Sequence, residues 1–137
     1  MSPLKITARD AATGPLLEIA GELDYTSAPE LRELLATLTL RPGQRLVLDL
    51  AAMEFCDSSG LTALIAARNH AHAARADIAL AAVPPRTLRV LRIVGLDQVF
   101  PLYPDGRSAT RTLDPAPPES ARPAREGERR GRTPEAQ

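Results

Sequence analysis

The residues most able to take part in chemistry are Asp57-Ser58-Ser59-Gly60. They lie between an apolar, strand-like run and a helix-like run. A hydroxyl at the start of a helix lies where the helix dipole and the free N–H groups favour an anion. A phosphate there would be tolerated by the fold, yet it would add close to two negative charges to the surface. The pattern indicates a switch that acts on a partner. In the plainer interpretation, Ser58 or Ser59 caps the helix and stabilises it by about 0.5–2 kcal/mol.

Other motifs that could support catalysis lack essential residues. His70 and His72 lie about 200 degrees apart on one helix, so they cannot share a metal or a substrate, and a solvated helix face is the expected place for both. The chain has no Gly-x-Ser-x-Gly motif, and its only lysine, Lys5, is not part of a glycine-rich phosphate loop. Cys56 is the only cysteine, so the chain has no disulfide framework, and one thiolate cannot supply the three or four ligands of a zinc site. We expect no cofactor and no metal. Cys56 could be a redox handle, but a small buried residue at the end of a strand is the expected role.

A serine hydrolase is one remaining enzymatic alternative. It would combine Ser58 with Asp24 or Asp57, but no histidine lies nearby in the sequence to accept the serine proton. Paired carboxylates for acid–base catalysis could also be assembled from Asp24, Asp49 and Asp57, but carboxylates at strand ends are common loop residues. The sequence therefore favours a protein that is not an enzyme.

The overall charge excludes several classes of partner. The chain has 137 residues, with 17 basic and 17 acidic side chains and a formal net charge of zero. This balance argues against direct nucleic-acid binding and against a charged tail that coats a membrane. No segment approaches the roughly 18 apolar residues that span a bilayer, and the N-terminus has no apolar signal core. We expect a cytoplasmic protein, and nothing demands more than a monomer.

Composition changes sharply after Tyr103. Residues 104–137 contain six of the 13 prolines, no aromatic residue and a single large apolar residue, Leu113. Such a segment cannot offset an ordering entropy of roughly 1–2 kcal/mol per residue. An arginine-rich contact with nucleic acid or acidic lipid is the alternative, but acidic residues are interleaved with the arginines. The sequence predicts a folded domain over residues 1–103 and a disordered tail over residues 104–137.

Hydrophobic periodicity within the domain indicates alternating strands and helices. Strands are predicted at residues 4–9, 16–20, 46–50, 78–83 and 99–103. Helices are predicted from a capping box of Ser27 and Glu30, from Leu61 to about Ala74, and from Pro84 to Gly95. The order β-β-α-β-α-β-α-β predicts an α/β fold with a mixed, largely parallel sheet, to which the N-terminal hairpin adds an antiparallel edge.

Five segments of this domain together form a recognisable pattern. They are Gly-Glu-Leu-Asp at 21–24, Ser-Ala-Pro-Glu-Leu at 27–31, Leu-Asp-Leu at 48–50, Phe-Cys-Asp-Ser-Ser-Gly-Leu at 55–61 and Ile-Val-Gly-Leu at 93–96. The pattern resembles the STAS-domain anti-sigma factor antagonists of bacteria and covers about residues 4–103. Asp-Ser-Ser-Gly-Leu after an apolar strand is specific only in combination with the upstream Gly-Glu-Leu-Asp. The predicted element order agrees with that family's fold.

The resemblance implies a partner-switching phosphoprotein that regulates transcription, for example in a stress response. In this family the unphosphorylated antagonist binds an anti-sigma factor that is also a serine kinase, and a sigma factor is thereby released. The kinase phosphorylates the serine directly after the aspartate, which abolishes binding, and a serine phosphatase reverses the reaction. Carried over by motif, the acceptor is Ser58, with Ser59 as a minor candidate.

The resemblance also implies which residues contact the partner: Asp24, Asp57, Ser58, Ser59 and Gly60. Asp24 matches the acidic position of the loop beside the acceptor, and Gly60 is expected to let the backbone turn and the kinase approach closely. The alternative is a STAS binding or adaptor module that no cognate kinase phosphorylates.

Overall fold

The computed structural model describes residues 3–111, in which strands and helices alternate. The strands are β1 (Lys5–Ala11), β2 (Gly14–Leu23), β3 (Arg45–Asp49), β4 (Met53–Cys56), β5 (Asp77–Ala81) and β6 (Leu102–Tyr103). The helices are α1 (Ala28–Thr37), α2 (Ser58–Ala73), α3 (Pro85–Val94) and α4 (Gly106–Ala109), with a 3₁₀ turn at Leu96–Gln98. Over residues 3–111, no helix combines the length and apolar character needed to cross a membrane.

The strands form a mixed sheet in the order β1-β2-β3-β5-β6, and β4 pairs with the far end of β2. β1 and β2 form an antiparallel hairpin, whereas the other pairs are parallel. Gly14 closes the hairpin with φ +141°, and a Cβ there would lie 2.7 Å from the Arg45 carbonyl oxygen, so only glycine fits. The predicted α/β fold with a largely parallel sheet and an antiparallel edge is confirmed.

Alternating strand residues divide the core between the two faces of the sheet. On β3, Leu46 and Leu48 pack in the main cluster with residues of α1, α2 and α3, while Val47 packs on the opposite face with Ala109 of α4. All three β3 side chains are fully buried. The central strand is thus covered on both faces, as its continuous apolar run predicted.

The strand directly before Asp57-Ser58-Ser59-Gly60, β4, was not predicted. β2 has ten residues, and it pairs with β3 over residues 16–18 and with β4 over residues 21–23. The pairing register shifts between Gly21 and Glu22, and Gly21 has φ +90°. β4 is only four residues long and has two exposed residues, which explains why its hydrophobic pattern is weak.

The two histidines of α2 have different surroundings. His72 is exposed, as predicted. The same prediction is wrong for His70, which is half-buried and whose Nε2 lies 3.2 Å from the Leu38 carbonyl oxygen at the end of α1. That contact joins the end of α1 to the last turn of α2.

The domain continues beyond Tyr103, where the sequence prediction placed its end. Asp105 caps α4, Ala109 is fully buried, and the Ala109 carbonyl accepts a hydrogen bond from Arg45 Nη1 at 3.0 Å. A four-residue helix that buries one alanine has almost no hydrophobic signature, so composition alone assigned it to the tail. The predicted disorder of the remaining residues, 112–137, lies outside the described residues and stays a prediction.

Candidate functional site

Two loops meet at the carboxyl ends of β2 and β4. These strands are parallel and place Leu23 opposite Cys56, so Asp24 and Asp57 leave the sheet side by side. The Asp57 N–H donates to the Leu23 carbonyl at 3.3 Å, which extends the pairing by one residue. The topology therefore brings the end of the Gly-Glu-Leu-Asp segment, and the loop that follows it, to the start of α2.

Asp57 is the N-cap residue of α2. Its Oδ1 accepts a hydrogen bond from the Gly60 N–H at 3.0 Å, and its Oδ2 accepts one from the Tyr25 N–H at 3.2 Å. A single carboxylate thus caps the helix and holds the neighbouring loop. The prediction that Ser58 or Ser59 caps the helix is wrong, because the preceding aspartate occupies that position.

The two serines follow directly as the first residues of α2. Ser58 is exposed, and Ser59 is half-buried. The Ser58 carbonyl accepts a hydrogen bond from Thr62 Oγ1 at 2.9 Å, so its backbone is part of the first helical turn. No acidic side chain lies in that turn. Of the two serines at the amino end of this 16-residue helix, Ser58 is the more accessible, because Ser59 is half-buried.

Gly60 is buried beneath the start of α2. A Cβ at this position would lie 2.6 Å from the Leu23 carbonyl oxygen and 2.7 Å from Cys56 Sγ. The expected role of Gly60 in a turn is wrong, because the residue lies inside the helix. Its small size instead lets α2 approach the ends of β2 and β4, which fixes the position of the two serines.

Asp24 organises the loop that follows β2. Its Oδ1 accepts hydrogen bonds from Thr26 Oγ1 at 2.8 Å and from the N–H groups of Thr26 and Ser27 at 3.0 and 3.1 Å. These hydrogen bonds, that of the Thr26 hydroxyl first, hold the pKa of the Asp24 carboxyl below its ordinary value. Asp24 therefore remains an anion at neutral pH while it closes its own loop.

Ser27 occupies the N-cap position of α1 without acting as a side-chain cap. Its Oγ donates to the Glu22 carbonyl at 2.7 Å and accepts from the Asp24 N–H at 2.9 Å. The predicted capping box with Glu30 is therefore wrong, since the Ser27 hydroxyl is used across the loop. The side chain is 6% exposed, so these hydrogen bonds are largely shielded from water.

Carboxylates surround this loop. A surface recess of about 330 Å³ lies beside it, and three of its lining residues are acidic: Glu22, Asp24 and Glu30. Asp57 adds a fourth carboxylate through its hydrogen bond to the loop backbone. The negative charge of this surface favours a partner that presents cationic groups.

Cys56 stands immediately before the motif. Burial, with the nearby Asp57 charge as the second cause, raises the pKa of its thiol to about 12. The thiol therefore stays protonated at neutral pH, and its half-buried position agrees with the structural role predicted from the sequence.

Sequence reasoning missed Tyr25 as a site residue. Its side chain is 79% exposed, although its backbone N–H is bound by Asp57. The available signal was an aromatic residue directly after Gly-Glu-Leu-Asp in a chain with only two tyrosines and two phenylalanines.

The fold and the paired loops define a STAS-type domain, and comparison with known proteins agrees. The family model described as the STAS domain matches residues 5–109. The chain therefore belongs to the STAS domain family.

Individual relatives each match about three quarters of the chain. A STAS-domain containing protein of Pseudomonas aeruginosa is 32% identical over 99 residues, which cover 71% of this chain and 97% of that protein. An anti-sigma-F factor antagonist of Mycobacterium tuberculosis is 30% identical over 100 residues, which cover 73% of this chain and 81% of that protein. The crystal structure of an anti-sigma factor antagonist from Mycobacterium paratuberculosis has a TM-score of 0.68 at 30% identity, covering 77% of this chain and 90% of that one.

Proposed function

We propose that this protein is an anti-sigma factor antagonist whose binding is switched by phosphorylation of Ser58. The observation that carries the proposal is the exposed Ser58 hydroxyl at the first position of α2, directly after the capping Asp57. The names of the relatives from two mycobacteria support the assignment. The unphosphorylated protein binds an anti-sigma factor serine kinase and releases a sigma factor, and a serine phosphatase restores this form.

The position of Ser58 suits a reversible charge switch. A phosphate at the amino end of α2 faces the positive end of the helix dipole, so the folded domain tolerates it. Asp57 keeps its capping hydrogen bond to the Gly60 N–H, and no other carboxylate lies in the first turn. The modification therefore acts on the surface and leaves the domain folded.

Electrostatics explains why the modified form would lose its partner. Asp24 and Asp57 already make this surface acidic, and a phosphate adds about 1.5 to 2 further negative charges together with its bulk. A change of about 3 kcal/mol in binding free energy lowers affinity roughly a hundredfold. A phosphate forced into a closely packed interface without a cationic partner is sufficient for a change of that size.

The protein acts as a binding regulator in the cytoplasm and carries out no catalysis of its own. Residues 3–111 contain 12 basic and 12 acidic side chains, a balance that supports a protein partner and no direct contact with nucleic acid or membrane. One copy of the domain presents the complete site, so a monomer suffices. The partner contacts are assigned to Asp24, Asp57, Ser58 and Ser59, with the buried Gly60 positioning them.

The proposal is tested by phosphorylation with purified kinases. The full chain is incubated with ATP and each candidate anti-sigma kinase of the same genome, and then analysed by intact mass and peptide mapping. We expect one phosphate on the peptide that contains Ser58, lost in Ser58→Ala and retained in the matched control Ser59→Ala. If no such kinase modifies the folded protein, the chain is a non-phosphorylated adaptor module.

Binding of the same variants tests the switch itself. Ser58→Ala is expected to bind the kinase whether or not ATP is present, because it cannot be modified. Ser58→Glu is expected to bind at least tenfold more weakly than the wild type. If both variants bind as the wild type does, Ser58 does not control the interaction.

A further inference from the structure

Tyr25 lies on the loop beside the start of α2, and its side chain is largely exposed to solvent. It has the largest exposed fraction, 79%, among the exposed large hydrophobic side chains of the described chain. Single exposed apolar residues are common on protein surfaces and need no explanation by themselves. Tyr25 differs in its location, because its backbone is bound to the residue that precedes the proposed phosphorylation site.

The backbone that carries Tyr25 is held on both sides. Asp57 Oδ2 accepts its N–H, and the Asp24 carboxylate accepts the N–H groups of the next two residues, Thr26 and Ser27. A tyrosine has only two side-chain torsions to order on binding. Because the backbone is held and the side chain has few torsions, little conformational entropy is lost on association. More of the interaction energy then contributes to affinity.

The surroundings of Tyr25 indicate the chemistry of its partner. Glu22, Asp24 and Glu30 line the recess beside the loop, so a facing surface must be cationic. Tyrosine is among the residues enriched at interface hot spots, where an aromatic ring fills an apolar pocket and polar groups surround it. An apolar pocket bordered by arginine or lysine is the surface that complements this loop.

We infer that Tyr25 is an anchor residue of the interface with the anti-sigma factor. Its ring enters an apolar pocket of that protein, while Asp57 positions it through the backbone hydrogen bond. The inference rests on the proposed function, since it names a contact made by the same site. It adds a residue whose contribution is independent of phosphorylation.

The test is a binding titration with the purified anti-sigma kinase that binds the wild-type chain. Four full-length proteins are compared: wild type, Tyr25→Ala, Tyr25→Phe and Ile93→Ala. Ile93 is a matched control, because it is 75% exposed and lies near the carboxyl end of α3. We expect Tyr25→Ala to raise Kd roughly 30-fold, and Tyr25→Phe and Ile93→Ala to stay within about threefold of the wild type.

The variants also separate this inference from the proposed function. Equal unfolding midpoints of Tyr25→Ala and the wild type establish that any loss of affinity arises at the interface. If the wild type binds and the Kd of Tyr25→Ala lies within twofold of the wild-type Kd, Tyr25 is not an anchor. The same follows if Ile93→Ala raises Kd as much as Tyr25→Ala does. In both cases the proposed function stands. Binding that depends on Tyr25 in a protein that is never phosphorylated overturns the switch and leaves the anchor in place. If the wild type binds none of the kinases, both fall.

Discussion

The Asp57 carboxylate accepts the Tyr25 N–H at 3.2 Å across 32 positions of sequence. Its other oxygen accepts the Gly60 N–H at 3.0 Å and so starts α2. One side chain therefore sets both the helix that presents Ser58 and the loop that presents Tyr25. A change at this residue disturbs the two halves of the candidate site together.

Replacing Asp57 by alanine removes both hydrogen bonds. We expect Asp57→Ala to lower the free energy of unfolding by about 1–2 kcal/mol, since the loss of an N-cap alone is of this size. Asp57→Ser can still cap the helix but cannot hold both N–H groups, so its stability should lie between alanine and the wild type. Urea denaturation followed by circular dichroism measures all three. A loss below about 0.5 kcal/mol in Asp57→Ala would show that the carboxylate is not structurally important.

Gly60 provides a second test of how the site is built. Alanine favours a helix interior by about 1 kcal/mol over glycine, so propensity alone predicts that Gly60→Ala stabilises the domain. The added Cβ would lie 2.6 Å from the Leu23 carbonyl oxygen, and overpacking of this kind costs about 1–3 kcal/mol. We expect a net loss of stability in denaturant titrations, with Ser59→Ala on the same helical turn as the control. An unchanged or higher midpoint for Gly60→Ala would mean that α2 moves aside freely.

Local patterns predicted the parts of this structure that depend on periodicity. Alternation over β1, the continuous apolar run of β3 and the helical spacing of α1 each reflect which side chains face the core. The order of these elements then implies parallel strands whose carboxyl ends lie at one edge of the sheet. The α/β class and the largely parallel sheet therefore followed from the sequence, whereas β4 and α4, with their weak hydrophobic patterns, did not.

The details of the site depend on tertiary distances that no local pattern contains. Asp57, Ser58 and Ser59 are all good N-cap residues, and the choice among them depends on the Tyr25 N–H of another loop. Ser27 likewise resembles a cap in the sequence, but its hydroxyl donates a hydrogen bond to the Glu22 carbonyl instead. These positions could not be assigned until the two loops were placed side by side.

The Asp24 loop should respond to acid. The pKa of this carboxyl is lower in the folded protein than the ordinary value of about 3.8, with the Thr26 hydroxyl hydrogen bond as the main cause. Its hydrogen bonds therefore stabilise the fold above about pH 4, and this stabilisation is lost as the pH falls through the folded-state pKa. Thermal unfolding between pH 7 and pH 2.5 should show a smaller acid-induced decrease in Asp24→Asn than in the wild type. Asp10→Asn, at the exposed end of β1, controls for the change in net charge, and equal decreases in both variants would contradict the assignment.

The end of the domain can be located by truncation. A chain that ends at Arg111 keeps α4, whereas one that ends at Tyr103 loses the Ala109 carbonyl that accepts from Arg45 at 3.0 Å and uncovers the buried Val47. Loss of a partner for a partly buried donor costs about 1–3 kcal/mol, so the shorter chain should unfold at lower denaturant concentration. The 1–111 chain should unfold like the full protein if residues 112–137 add nothing to domain stability. Equal midpoints for the 1–103 and 1–111 chains would place the end of the stable domain at Tyr103, as composition predicted, and would show that α4 packs on the sheet without supporting it.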